Sequence, residues 1–389
     1  PGGQYFRQLP ATFQRTAKTV FDKDRRGAAL YEIVTHAAVT YLPGTTVWQM
    51  PEDGVVSVAG PAVSGDIQAR LVVLATGAYD RPVPFPGWTL PGVVTAGGLQ
   101  NLIKGQRVIP GSRAVVAGNG PLVLLTSASL VRAGAELLAV AEAAWTTRRI
   151  PGEVANLLAA PAVVRQAIDY AFAIARSGAD RRIGWTVVEA RGETEVEEVV
   201  LAPIDSEGRL DRLRSQTVSA DLLVTGFGLL PSIELARLCG AELAWNGWRG
   251  GWLPRRTNDF ETTRGGTFSV GDGSAIGGVE IALVEGRLMG LIAAHRLGRI
   301  SDVALSRLAR PDRRQLARLE LFRSALERVF EPPRDFLELV TTDTVLCRCE
   351  GVLASDLEER KAQGFGGISS LKSTTRAGMG RCQGRNCVP

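Results

Sequence analysis

Histidine and cysteine are both scarce in this chain of 389 residues, which holds two of the first and five of the second. The histidines, His36 and His295, fall in an expected strand and an expected helix. No Ser-His-Asp constellation and no histidine-built metal site can be assembled from them. No Cys-x-x-Cys occurs, which excludes a dithiol–disulfide exchange centre. The cysteine spacing is no disulfide framework for a chain this long, so a reducing compartment is expected. There is no basic arm and no interleaving of basic and aromatic residues. The net charge of +5 is spread along the chain, which argues against a nucleic-acid partner. Internal repeats and low-complexity segments are lacking. One uncharged run, Pro82–Ile103, is long enough to span a bilayer, but Pro82, Pro84, Pro86 and Pro91 exclude a membrane helix there. The chain opens Pro1-Gly2-Gly3-Gln4 without a methionine, so its start says nothing about a leader.

What is present points to an α/β protein of two or three domains. Hydrophobic residues make up 45% of the chain and there are 44 glycines, enough for real cores and many tight turns. Short strands are expected at Ala29–Val34, Val55–Ala59 and Leu71–Leu74, separated by turns at Pro43-Gly44 and Asp53-Gly54. The run Leu71–Ala75 reads as a parallel strand covered on both faces, ending at Thr76-Gly77. A βαβ unit follows: strand Ala114–Ala117, turn Gly118-Asn119-Gly120, helix Leu122–Ala133, and strand Leu137–Val140 with Glu142 just beyond it. A helical stretch is expected over residues 153 to 177, and antiparallel strands over 184 to 217. Asp221–Gly226 reads as a buried strand. Phe268–Val270 is a short strand running into Gly271-Asp272-Gly273, before a helix from Val279 to Leu297. Residues 301 to 332 read as helix, Glu331-Pro332-Pro333 as a linker, and the cysteine-bearing tail starts near Thr341.

Three motifs carry chemistry. Gly118-x-Gly120-x-x-Val123 is an incomplete dinucleotide fingerprint. Its first glycine allows the tight turn and its second lets backbone approach a pyrophosphate on the helix N–H groups. Val123 stands where a third glycine would permit close packing. Glu142 lies at the distance expected of a ribose-binding acid, which favours NAD over NADP. The competing reading is a Rossmann-type turn that binds nothing. Gly271-Asp272 is the second motif: a short carboxylate after a strand can accept hydrogen bonds from a hydroxyl chain, though Gly-Asp alone is a common turn. The third is the cysteine set Cys347-x-Cys349 and Cys382-x4-Cys387, beside Arg348, Lys372, Arg376, Arg381 and Arg385. Four thiolates with basic neighbours suit an anionic [2Fe–2S] cluster, while structural zinc remains the rival because Cys382-x4-Cys387 also fits a zinc knuckle. Cys239, alone near an expected helix at Ser232–Leu238, reads as buried filler.

Together these segments resemble a known family. Thr76-Gly77, Gly118-Asn119-Gly120-Pro121, Thr225-Gly226 and Gly271-Asp272 follow the order of two-dinucleotide-domain flavoprotein reductases. The proline-rich stretch Ala75–Gly92, with Cys347-Arg348-Cys349-Glu350 and Arg376–Arg385, is narrower. It looks like the FAD-containing large subunit of opine oxidases, hydrogen cyanide synthase, and the sarcosine oxidase and dye-linked proline dehydrogenase groups. The resemblance implies an α/β fold with two Rossmann-like dinucleotide-binding domains plus a small helical C-terminal iron–sulfur module. It implies an FAD domain over residues 1–108 and 253–300, an inserted NAD(P)-type domain over 109–252, a helical linker over 301–340, and a [2Fe–2S] domain of the bacterioferritin-associated type over 341–389. By resemblance, Gly2, Gly3 and Gln4 line the flavin, Thr76 and Gly77 pass its phosphate side, and Gly271-Asp272 holds the ribityl chain. Gly118, Gly120 and Glu142 match a second site for NAD(H) or another adenine nucleotide. Cys347, Cys349, Cys382 and Cys387 match the cluster ligands.

The same resemblance implies partners: an amine-oxidase-type FAD subunit that oxidises the carbon–nitrogen bond, and a small ferredoxin-like subunit. This chain would then relay electrons, and none of its own residues is expected to act as a catalytic acid or base. A cytoplasmic location is expected, with peripheral association at the inner membrane. Family members begin with a strand and a Gly-x-Gly-x-x-Gly turn before Pro-Gly-Gly-Gln and continue past the last cysteine, so this sequence reads as a fragment. Two other functions stay open: a stand-alone NAD(P)H-dependent flavoprotein reductase, and a zinc-stabilised interaction module without catalysis.

Overall fold

The computed structural model describes Gly3, Tyr5, Phe6 and residues 22–36, 38–205, 207–331 and 336–387. Along the chain, α1 (Asp22–His36) precedes β1 (Thr46–Gln49), β2 (Val55–Ala59), β3 (Ser64–Gln68), β4 (Val72–Leu74) and β5 (Ala78–Asp80). Then come β6 (Val93–Thr95), α2 (Ala96–Gln100), β7 (Arg113–Gly118), α3 (Pro121–Ala133), β8 (Glu136–Glu142), α4 (Thr146–Leu157), α5 (Pro161–Ser177) and β9 (Asp180–Ile183). β10 (Trp185–Arg191), β11 (Glu198–Pro203), β12 (Gln216–Ser219), β13 (Leu222–Gly226) and β14 (Leu229–Pro231) follow. The remainder is α6 (Glu234–Leu238), β15 (Leu243–Asn246), β16 (Gly251–Pro254), β17 (Thr267–Ser269), α7 (Val279–Arg296), α8 (Asp302–Val329), β18 (Val345–Cys347), β19 (Val352–Leu353), α9 (Ala354–Ala362) and α10 (Ile368–Thr375). Two compact units result, one from Pro1–Tyr79 with Leu229–Ser324, the other from Asp80–Gly228 with Ala325–Pro389.

In the first unit, β1, β2 and β3 form an antiparallel sheet. β4 pairs in parallel with β17, Leu74 opposite Ser269. Parallel pairing puts the carboxyl ends of both strands, and so the Thr76-Gly77 and Gly271-Asp272 loops, at one end, where open α/β sheets take ligands. The segment Ala29–Val34, expected as a strand, is the body of α1. A short apolar run does not distinguish strand from helix. The helix is tied down by Arg26, whose guanidinium meets the Glu280 carboxylate at 3.0 Å. Val73 is 42% exposed, so β4 is not covered on both faces as the run Leu71–Ala75 implied. Cys239 is buried against Met50, Leu74 and Ala236, as filler should be.

The second unit holds a five-stranded parallel sheet in the order β6-β13-β7-β8-β9. Its strands alternate between two cores. Val115, Ala117 and Leu223 face one cluster with Val187 and Leu201, while Ala114, Val116, Leu222 and Val224 face another with Leu130 and Ile174. Both faces are dry, which explains the near-continuous apolar runs of β7 and β13. Each fully buried Leu or Val contributes about 1.5–3 kcal/mol. The expected helix over 153–177 is two helices, α4 and α5, because Pro161 starts the second at its first turn. β10, β11 and β12 form an antiparallel sheet. No helix among the described residues is long and apolar enough to cross a membrane.

Candidate functional site

In the first unit the two glycine loops touch. A Cβ on Gly273 would lie 2.5 Å from Thr76 Oγ1 and 3.1 Å from the Gly77 amide nitrogen, so only glycine lets them approach this closely. Thr76 Oγ1 donates to the Ser232 carbonyl at 2.5 Å. Gly77, with φ +69, has open space where a side chain would be. Asp272 Oδ1 accepts the amides of Gly277 (2.9 Å) and Gly278 (2.8 Å), which lead into α7. Its second oxygen has no hydrogen-bond partner among the described residues. Beneath the loop lies Glu285 of α7, 2% exposed. It accepts the Gly271 amide at 2.6 Å and pairs with Arg256 at 2.7 Å. Arg256 also donates to the Ser269 carbonyl at 2.8 Å, so one ion pair holds both the strand end and the loop. Neither Glu285 nor Arg256 was singled out in the sequence. The signal was there: in α7 Glu285 shares the buried positions with Ile281, Val284, Leu288, Met289 and Ile292. Gly3 is exposed, with φ +58. Gly2 and Gln4 lie outside the described residues.

An open glycine turn at the carboxyl end of parallel strands, with an unpaired carboxylate oxygen, suits the sugar and phosphate portions of a dinucleotide. The residues present therefore fit the FAD that the motifs imply.

The second unit contains the other glycine turn, at the end of β7. Val123 is 1% exposed and packs in the core with Leu99 and Leu130. Glu142 does not stand out towards a ribose. Its Oε1 and Oε2 lie 3.3 and 3.2 Å from the Gly120 amide, and Oε1 also accepts the Ala144 amide at 3.1 Å. Burial pushes its carboxyl up to about 8, against the opposing pull of the Ala144 and Gly120 amides. At neutral pH it is mostly the uncharged acid. Asn119 donates from Nδ2 to the Phe330 carbonyl at 2.7 Å. Its Oδ1 is buried without a partner among the described residues.

The four cysteines of the tail converge. Cys349 lies beside Cys382 and Cys387 beside Cys347, and charge on Cys347 and Cys382 also reaches the thiols of the other pair. The amides of Asn386, Gly384 and Arg385 turn towards the Cys382 sulfur. The Gly378 amide lies 3.5 Å from Cys347 Sγ. Burial raises the Cys382 thiol, but those amides with the Cys349 thiol outweigh it and hold it below the usual range. Burial, then the neighbouring Cys347, pushes Cys387 up to about 11. A side chain on Gly380 would put its Cβ 2.2 Å from Cys349 Cβ, so the turn closes only around glycine. Among the described residues no three His, Cys, Asp or Glu groups enclose a single ion position. The thiols lie instead as two neighbouring pairs, with the Gly378 amide aimed at Cys347 and further amides near Cys382. One zinc ion needs four ligands around one point, whereas a two-iron cluster takes two cysteines on each iron. Four thiols in two pairs fit that donor set, and the amides near Cys382 favour its thiolate. Trp88, in the proline-rich stretch, donates from Nε1 to the Val345 carbonyl at 2.6 Å, on the strand that carries Cys347.

Comparison with known proteins agrees with this architecture. The profile described as pyridine nucleotide-disulphide oxidoreductase matches residues 11–298. The chain belongs to that family of FAD-dependent oxidoreductases, and within it to the group of opine oxidase and hydrogen cyanide synthase subunits. An opine oxidase subunit of Rhizobium meliloti is 32% identical over 410 residues, which cover 100% of this chain and 74% of that protein. Hydrogen cyanide synthase subunit HcnB of Pseudomonas aeruginosa is 36% identical over 329 residues, covering 83% of this chain and 69% of that one. Among solved structures, L-proline dehydrogenase from P. horikoshii shares the fold with a TM-score of 0.58 at 20% identity, over 93% of this chain. This chain spans 61% of that one.

Proposed function

We propose that this chain is the FAD- and [2Fe–2S]-bearing subunit of a multi-subunit amine, amino-acid or opine oxidase or dehydrogenase. It passes on electrons released by carbon–nitrogen oxidation at a partner subunit. The similar proteins named as subunits of opine oxidase and hydrogen cyanide synthase support the substrate class and the heteromeric setting. When bound, flavin accepts an electron pair and an iron–sulfur cluster passes electrons singly, so together they convert two-electron into one-electron traffic. The chain's own residues position and tune. Asp272, through the oxygen its loop leaves unpaired, would take hydroxyls of the flavin's sugar-like chain, with Thr76 and Gly77 beside it and Gly2, Gly3 and Gln4 completing the pocket. Cys347, Cys349, Cys382 and Cys387 would hold the cluster, and the Gly378, Gly384, Arg385 and Asn386 amides would stabilise the thiolates.

The observation that carries the reading is the gathering of the four tail thiols into two neighbouring pairs beside backbone amides. Elemental and acid-labile sulfide analysis of the purified protein tests it. The expected content is about two iron and two sulfide per chain, and Cys382→Ser should lower iron retention by at least about 100-fold, beyond the loss typical of an outer-shell change. Stoichiometric zinc with no iron would overturn it.

A further inference from the structure

Open α/β sheets take their ligand in the crevice beyond the carboxyl ends of the strands. In the second unit that crevice is filled from within. The Gly120 amide, which a pyrophosphate would need, is held by Glu142. Asn119, in the same turn, is bound to the Phe330 carbonyl at 2.7 Å. Phe227, directly after β13, packs edge-on against Phe336 with ring centres 4.8 Å apart. Arg149 donates to the Glu331 carbonyl at 2.8 Å and pairs with its carboxylate at 3.3 Å. Arg212 reaches the carbonyls of Glu338 (3.0 Å) and Leu339 (3.3 Å). Leu339 is itself 2% exposed within the main core cluster. Just beyond, Trp88 holds the Val345 carbonyl. Apart from the Glu142–Gly120 contact, each of these joins the second unit's sheet, or an element packed on it, to the chain that leads into the cysteine module.

We propose that the inserted dinucleotide domain takes no nucleotide and serves as the seat of this chain's own cysteine module. Residues 325–331 and 336–340 lie across its turn, and Trp88 is the positioning residue that fixes the strand of Cys347. The turn keeps its Rossmann shape because the shape, not the ligand, is now in use. Glu142 satisfies the amide that a phosphate would otherwise claim, and it does so largely as a neutral acid, which needs no counter-ion. The carbonyls of Phe330, Glu331, Glu338 and Leu339 give the crossing segment a rail of backbone anchors. Side chains of the same segment add to them: Arg328 pairs with Glu153, Phe336 packs on Phe227 and Leu339 enters the core. The seat goes beyond the electron-relay reading, since its contacts do not depend on which ion the thiols hold.

Two measurements on the full-length protein test it. Wild type titrated with NAD+, NADH, NADPH and ATP should show no saturable binding up to about 1 mM, the weak end of specific affinity. Saturable binding of any of them would overturn the proposal. Trp88→Phe keeps the ring and removes the donor. Hydrogen exchange of the amides from 345 to 347 should quicken about fivefold, the factor for one net hydrogen bond, while β1–β3 exchange as in wild type. Unchanged protection at 345–347 in a folded Trp88→Phe protein would refute the positioning role, whatever the iron content. If that variant does not fold, the nucleotide titration of wild type still decides.

Discussion

Each of the two glycine turns rests on a buried glutamate, and the two glutamates act in opposite ways. Glu285 sits beneath Gly271 with Arg256 as a charged partner, and it holds the loop from behind. The face of that loop stays open at Gly77 and at one oxygen of Asp272. Glu142 comes from the ligand side, has no cation in contact among the described residues, and fills the amide of Gly120 itself. A carboxylate behind a turn with its own counter-ion prepares a cradle. One in front of a turn, stripped of water and pushed towards the neutral acid, closes it. The lesson is that a glycine pattern describes a backbone path, and the neighbouring acid decides whether that path stays open to a ligand.

Removing the supports tests this contrast. The largest effect is expected for Glu285→Ala, which leaves Arg256 buried without its partner. A loss of about 3–5 kcal/mol in stability is expected, together with loss of any bound flavin, read by calorimetry and by absorbance. If flavin retention were unchanged in a folded Glu285→Ala protein, the supporting role would be wrong. Next comes Glu142→Gln. The folded carboxyl, near 8, lies above the ordinary value of 4.5, so the folded chain holds a proton that the unfolded one has released. Its stabilising contribution is full below about pH 4.5 and is lost as pH rises through about 8. The wild-type slope should reach about 1.4 kcal/mol per pH unit in that window, and the variant should flatten it. Denaturation from pH 5 to 9 measures this, and identical slopes would clear Glu142 of the role. The smallest effect belongs to Asn119→Ala. It orphans the Phe330 carbonyl but also removes a buried Oδ1 that has no partner among the described residues, so the net cost should stay near or below about 1 kcal/mol. A cost several times larger in a chemical melt would mean that Asn119 anchors more than one carbonyl.

Much of this was readable in the sequence. The βαβ unit at β7, α3 and β8, the strand β13 and the helix α7 all follow from apolar runs and glycine turns. Strong local signals and tertiary packing agree at those places. Ala29–Val34 failed because six apolar-rich residues satisfy either period, and the deciding contact, Arg26 with Glu280, comes from far along the chain. Glu142 was expected just beyond the strand and facing a ribose; it is the last residue of β8 and turns back to Gly120. Spacing fixes where a side chain begins, and only the packed surroundings of Ala144 and Gly120 fix where its carboxyl goes. Trp88 lay inside the most specific stretch of the sequence, yet its partner is a backbone carbonyl, and a carbonyl has no residue identity to read.

The pairing of β4 with β17 sets a schedule for biosynthesis. Val72 leaves the ribosome long before Thr267, its neighbour in the sheet. At ordinary elongation rates the gap of about two hundred residues lasts about 10–40 s, during which the strand has an unfilled edge. The second unit is interrupted in the same way, with its last piece starting at Ala325. The cradle under Asp272 therefore assembles late, and β4 waits for its neighbour through about half of the chain's synthesis.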